Sequence, residues 1–131
     1  MSHPKYENPK TLGKPLGSYS HVAMSGSIML VAGQVGITRD GDVPPEVFAQ
    51  VKLTFDNISL ALESQGLTLR NVLKFTTYLT HEDYIPEFFR TRDELFPGLF
   101  PGGEYPANTL LVISRLVRPE FLVEIEAIAS S

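Results

Sequence analysis

The last quarter of the chain, Pro106 to Ala129, reads PANTLLVISRLVRPEFLVEIEAIA and constrains the fold more than any other stretch. Two runs rich in Val, Ile and Leu, Thr109 to Leu116 and Phe121 to Ala129, flank the short Val117-Arg118-Pro119-Glu120 break, which predicts two neighbouring antiparallel strands. Alternate side chains of a strand share a face, so Glu124 and Glu126 point one way while Val123, Ile125 and Ala127 point the other, into a core. Two carboxylates on so apolar a strand have two readings. Either they line a solvated sheet face or meet cations across a subunit contact, or one of them sits in a polar pocket as proton shuttle or water holder. On the residues alone the first is the default.

The rest of the chain supplies the partners for these strands. Met1 to Leu16 holds three prolines and no periodicity, and reads as a flexible N-terminal arm (1–16) ahead of one domain (17–131). Ser18 to Met24 alternates like a strand, Ser25-Gly26 is a turn, and Ile28 to Ala32 returns as the second arm of a hairpin. Gly33 interrupts that arm, as a bulge, a close approach to a ligand or a plain bend would. After Pro44-Pro45, the apolar residues Val47, Phe48, Val51, Phe55, Ile58 and Leu62 define one face of a helix running to about Gln65, with Gly66 as its C-cap. Its other side, with Gln50, Lys52, Asp56, Ser59 and Glu63, is expected in water. Val72 to Leu79 reads as a central strand. A second helix begins near Asp83, buries Ile85, Phe88, Phe89, Leu95 and Phe96, and is stopped by Pro97-Gly98. The order strand, strand, helix, strand, helix, strand, strand fits an α+β domain: a mixed β-sheet with two helices packed on one face. The apolar excess on the strands then points to oligomerisation as the cover for the other face.

Composition excludes several functions. The 131 residues suit a single core that buries roughly two thirds of the unfolded surface. With no cysteine there is no disulfide framework, thiolate nucleophile or thiolate metal site. No stretch has the length of a membrane span and the N-terminus lacks the apolar core of a signal peptide, so a soluble, cytoplasmic protein is expected. A net charge of −4 and scattered Lys and Arg residues argue against nucleic-acid binding. Metal spacings, Gly-rich phosphate loops and nucleophile elbows are absent, so no metal or cofactor is expected. Of the histidines, His3 falls in the arm, His81 at a helix entrance, and His21 on a strand face with Tyr19, where it is a structural residue or a ligand contact.

Three pieces in register, Gly17-Ser18-Tyr19-Ser20-His21-Val22, Ala32-Gly33-Gln34-Val35-Gly36 and the ending VEIEAIA, resemble the RidA/YjgF family, also called YjgF/L-PSP. The similarity runs from about Gly17 to Ala129. It implies a RidA-like (chorismate-mutase-like) fold, a homotrimer whose sheets meet in a central barrel, and small-molecule clefts at the subunit interfaces. Deaminating members use an arginine directly after a Pro-Ala pair to clamp the carboxylate of an amino-acid-derived imine. Here Asn108 stands at that position, and a neutral amide cannot supply the ionic part of that clamp. Tyr19 matches the tyrosine of the family's Gly-Pro-Tyr, with Ser18 in place of proline. Gly33 and Gln34 match Ser-Gly-Gln, with Ala32 in place of serine. Glu124 matches the carboxylate that holds the hydrolytic water.

The resemblance thus implies Glu124 as catalytic residue and Tyr19, His21, Ala32, Gly33, Gln34 and Asn108 as the substrate-binding set. The expected function is an imine- or enamine-type hydrolase, deaminase-like, acting on something other than the usual imino acids. A non-catalytic ligand-binding or regulatory trimer is the alternative, and the ribonuclease implied by the L-PSP name is a remote third.

Overall fold

A computed structural model describes residues 3–131; Met1 and Ser2 of the expected arm lie outside the described residues. The arm itself departs from expectation. Lys5–Glu7 forms strand β1, antiparallel to β2 (Val22–Ser25), and Leu12 is buried in the core. A three-residue strand between prolines is too short for alternation to register in the sequence. The first hairpin forms as expected but starts later, at Val22. Its turn passes through Gly26, whose φ of 58° is a left-handed conformation that glycine tolerates, into β3 (Ile28–Val35).

Helix α1 (Val47–Glu63) ends just before Gly66 and buries Val47, Val51, Phe55, Ile58 and Leu62 as the periodicity predicts. Two of its residues are corrected. Phe48 is 44% exposed, and Gln50, expected in water, is wholly buried. Gln50 Nε2 donates to the carbonyls of Pro44 and Glu120 at 2.8 Å each, and its Oε1 accepts from Leu122 N–H at 2.9 Å. One amide side chain thereby satisfies backbone groups of two loops, a role invisible to an apolar stripe.

Strand β4 (Val72–Leu79) leads through a 3-10 turn capped by His81 Nδ1 into helix α2 (Ile85–Leu99). Pro97 does not stop α2; it lies in the last turn, where Phe100 N–H still reaches the Phe96 carbonyl. Proline lacks only its own N–H, which withholds one helical bond from the carbonyl of Asp93. Phe88 and Phe96 are buried, whereas Phe89, expected beside them, is 42% exposed.

The C-terminal strands are β5 (Ala107–Val112) and β6 (Val123–Ser130), and the hairpin expected between them does not form. The sheet order is β1-β2-β3-β6-β4-β5. Strand β6 is antiparallel to both β3 and β4, and β5 is parallel to β4 at the sheet edge. Parallel strands need a crossover, and α1 and α2 are the crossovers from β3 to β4 and from β4 to β5. Both helices pack on one face, where Phe55 meets Phe75 and Phe96 edge-on at 5.5 and 5.4 Å. The apolar run after Val112 is not strand. It crosses the opposite face, where Leu116 and Phe121 bury themselves against Val35 in a second, smaller cluster.

Candidate functional site

The pairing of β3 with β6 shifts register between Val31 and Gln34, placing a bulge at Ala32 and Gly33. Glu124 uses the space this creates: a Cβ on Gly33 would lie 2.7 Å from Glu124 Cδ. The carboxylate lies on the face away from the helices, in a cleft of about 640 Å³ that Tyr19, Ala32 and Gly33 also line. The segment crossing that face closes the other side with Arg115, Leu116 and Phe121. Burial raises the Glu124 pKa above the ordinary carboxylate range, and the charge of Glu126, on the same face of β6, raises it further. Glu126 accepts a short hydrogen bond from Tyr78 Oη. That bond, with burial and the two carboxylate charges behind it, raises the phenol's pKa and keeps its proton in place.

Sequence alternation puts both glutamates on one face, and the structure adds that Tyr78 hydrogen-bonds to Glu126 and not to Glu124. Arg115 is an addition to the expected set. Its Nε donates to the Leu116 carbonyl at 2.9 Å and a terminal nitrogen to Val117 at 3.2 Å, so much of the fork holds its own loop. Matching Tyr78 with Glu126 requires the strand order, and bringing Arg115 into the cleft requires the 113–122 crossing, neither of which is local in the sequence.

The expected substrate-binding residues do not all gather here. His21 and Gln34 serve a structural network behind the bulge. Gln34 Nε2 lies 3.1 Å from both His21 Nδ1 and the Ala32 carbonyl, and His21 Nε2 lies 2.8 Å from the Gly13 carbonyl. This network assigns the imidazole proton to Nε2. Both residues face a neighbouring cavity of about 200 Å³, while Tyr19 and Gly33 line it as well as the Glu124 cleft. Tyr19 stands at the entrance, its hydroxyl accepting from Leu16 N–H at 3.2 Å.

Asn108 is on the other side of the sheet. It pairs in register with Phe75, a core residue of the helix face, and its Oδ1 accepts from Thr77 Oγ1 at 3.0 Å. It lines a separate cavity of about 490 Å³ beneath α2. Within one chain, therefore, the carboxylate and the amide at the family's clamp position lie on opposite faces. Among the described residues, no three His, Asp or Glu side chains gather where they could hold a metal ion, and no helix is long and apolar enough to cross a membrane.

A sheet that carries its helices on one face and a carboxylate cleft on the other defines a class of small α+β protein. The chain belongs to the RidA/YjgF family: the family model described as Endoribonuclease L-PSP matches residues 10–131. It is 34% identical over 118 residues to a RutC family protein of Pyrococcus horikoshii, covering 88% of this chain and 89% of that protein. Identity to the 2-iminobutanoate/2-iminopropanoate deaminase of Escherichia coli is 26% over 117 residues, covering 87% and 88% of the two. Among solved structures, RidA from an Antarctic Psychrobacter superposes with a TM-score of 0.85 at 25% identity, covering 97% of this chain and 99% of that one. Escherichia coli TdcF with bound serine gives 0.88 at 23% identity, covering 97% and 98%.

Proposed function

We propose that the protein is a RidA-type hydrolase of small imines or enamines, with Glu124 as the group that handles water. The observation that carries this reading is the Glu124 carboxylate folded over Gly33, with its pKa raised by burial and by Glu126. A carboxylate poised nearer neutrality can take a proton from water as the water oxygen bonds to the imine carbon, and return it to nitrogen. The resulting carbinolamine then collapses: the C–N bond breaks, C=O forms, and ammonia leaves. The net change is imine plus water to carbonyl compound plus ammonia.

The split between Glu124 and Asn108 supports a homotrimer with clefts between copies, because Asn108 of one copy would reach a ligand at another copy's Glu124. The exposed apolar residues Leu30, Ile128 and Leu111 on the Glu124 face favour the same assembly. Light scattering at micromolar concentration should give three times the monomer mass; a stable monomer would remove the shared cleft.

Asn108 also supports a substrate other than the usual imino acids. Wild-type protein should release little ammonia from 2-iminopropionate, since a missing charged hydrogen-bond partner typically costs about 1.5 to 3 kcal/mol. Asn108→Arg should raise that release by about tenfold or more, and adding Ala32→Ser should raise it further. Rapid release by the wild type would refute the altered substrate, and an inert Asn108→Arg protein would favour a binding trimer without turnover.

A further inference from the structure

The Glu124 cleft shares part of its wall with the neighbouring cavity of about 200 Å³: Leu16, Tyr19, Gly33 and Val35 line both. Leu16 and Tyr19 are exposed, so the two spaces meet at the surface and not through the core. A whole small-molecule site usually occupies roughly 300 to 1,000 Å³. The smaller cavity therefore suits one group of a ligand, and the cleft of about 640 Å³ can take the rest.

Three cations converge on the smaller cavity from separate segments: Lys14 ahead of β2, Arg39 from the turn after β3, and Arg118 from the 113–122 crossing. In a chain of net charge −4 this is a local reversal of sign. Among the described residues none of the three forms an ion pair, and Asp40 is the one acid lining the cavity. Three cations against one carboxylate leave a surplus of two positive charges. Like charges gathered in this way repel one another, and a bound anion relieves that repulsion. Two of the cations are placed by contacts of their own. Arg39 Nε donates to the Lys10 carbonyl at 2.6 Å, which leaves its two terminal nitrogens for a ligand. Arg118 Cζ stands 5.5 Å from the ring centroid of Phe121, held by cation–π attraction, and Phe121 lines the Glu124 cleft. Arg118 thus stands at the junction of the two spaces.

We propose that this cavity seats the phosphate of a phosphate-monoester ligand whose body lies in the Glu124 cleft. A phosphate monoester carries nearly two negative charges at neutral pH and three acceptor oxygens, which matches the charge surplus and the three directions from which the donors arrive. Arg118 presents a planar fork to two of those oxygens, and Lys14 acts as a point charge. A singly charged anion leaves half of the surplus unmet. On the hydrolase reading, on which this step rests, the substrate class narrows to imines or enamines that carry a phosphate remote from the C=N bond. The phosphate site itself stands with or without turnover at Glu124.

Titration calorimetry on the intact native assembly tests this with methyl phosphate, methyl sulfate and butyl phosphate. None has a C=N bond, so the outcome is separate from that of the hydrolase reading. Methyl phosphate should bind saturably, and methyl sulfate, similar in shape with a single charge, at least about tenfold more weakly. Butyl phosphate should bind at least about fivefold more tightly than methyl phosphate, because its chain lies against Leu116 and Phe121 of the cleft. Arg118→Gln should lower methyl phosphate affinity by about tenfold to a hundredfold and Lys14→Gln by about threefold to tenfold, whereas Arg90→Gln, at an exposed position on α2, should leave it unchanged. No saturable methyl phosphate binding, equal affinity for methyl phosphate and methyl sulfate, an equal loss in Arg90→Gln, or unchanged affinity in Arg118→Gln and Lys14→Gln proteins of unchanged melting temperature would each overturn the proposal. Butyl phosphate binding no more tightly than methyl phosphate would overturn the placement of the ligand body in the cleft, and with it the narrowed substrate class.

Discussion

The two faces of the sheet are one residue apart in register and opposite in character. On β6, Val123, Ile125, Ala127 and Ala129 are buried against the helices, while Glu124 and Glu126 between them look out over the cleft. The helix face is closed by interlocked aromatic rings and by Gln50, which satisfies three backbone groups. The other face holds ionisable groups close enough to shift one another. A fold arranged this way separates where stability resides from where chemistry is done, so substitutions on the two faces should fail differently.

The largest expected effect is on the helix face. Phe55 is 3% exposed and touches both Phe75 and Phe96, so Phe55→Ala should cost about 3 to 5 kcal/mol by denaturant melting. Exposed Phe48, one helical position away from the stripe, should tolerate alanine within about 0.5 kcal/mol. Comparable losses at both sites would break the contrast.

Two glycines of the same segment sharpen it. A Cβ at Gly36 would lie 2.6 Å from Gln50 Cα, so Gly36→Ala pushes against helix backbone and should cost roughly 1 to 3 kcal/mol. A Cβ at Gly33 meets only the far end of the Glu124 side chain, which can swing aside. Gly33→Ala should therefore change stability by less than about 1 kcal/mol while displacing the carboxylate and lowering ammonia release. A large stability loss at Gly33 would mean that Glu124 is locked in place by packing.

Much of this division is legible before the structure, and its limits are physical. Alternation fixes the two faces of β6 because a strand has period 2 wherever it lies, and glycine inside an apolar run marks Gly33 as a bulge, a close approach or a bend, of which the structure selects the bulge. The strand order is not local information. An apolar run such as 110–116 looks the same whether it continues a strand or packs over one, so the sequence pairs β6 with the wrong neighbour and cannot match Tyr78 with Glu126. Gln50 is hidden for a related reason: a polar residue on a helix is expected in water unless the groups that meet it are known. The family resemblance places Glu124 and Asn108 in one site by motif, while the fold puts them on opposite faces of one chain.

The smallest effect is the most specific to the open face. A carboxylate with a raised folded pKa keeps its proton in the native state where the unfolded chain has lost it, so the native state binds more protons and stability falls as pH rises. For Glu124 that contribution is fully present below the ordinary carboxylate range and is lost as pH climbs through the higher folded value. Glu124→Gln has nearly the same shape and no proton to lose, and it leaves the Tyr78 to Glu126 bond in place, so that bond cancels when the two proteins are compared. Denaturant midpoints from about pH 4 to 8 should therefore coincide at the acidic end and separate upward, with the Gln protein the more stable at neutral pH. Parallel curves would show that Glu124 ionises as it does in the unfolded chain. A wild type more stable at neutral pH would mean that a cation such as Arg115 favours the charged carboxylate, and Glu124 would then lack the proton affinity that the hydrolytic reading requires.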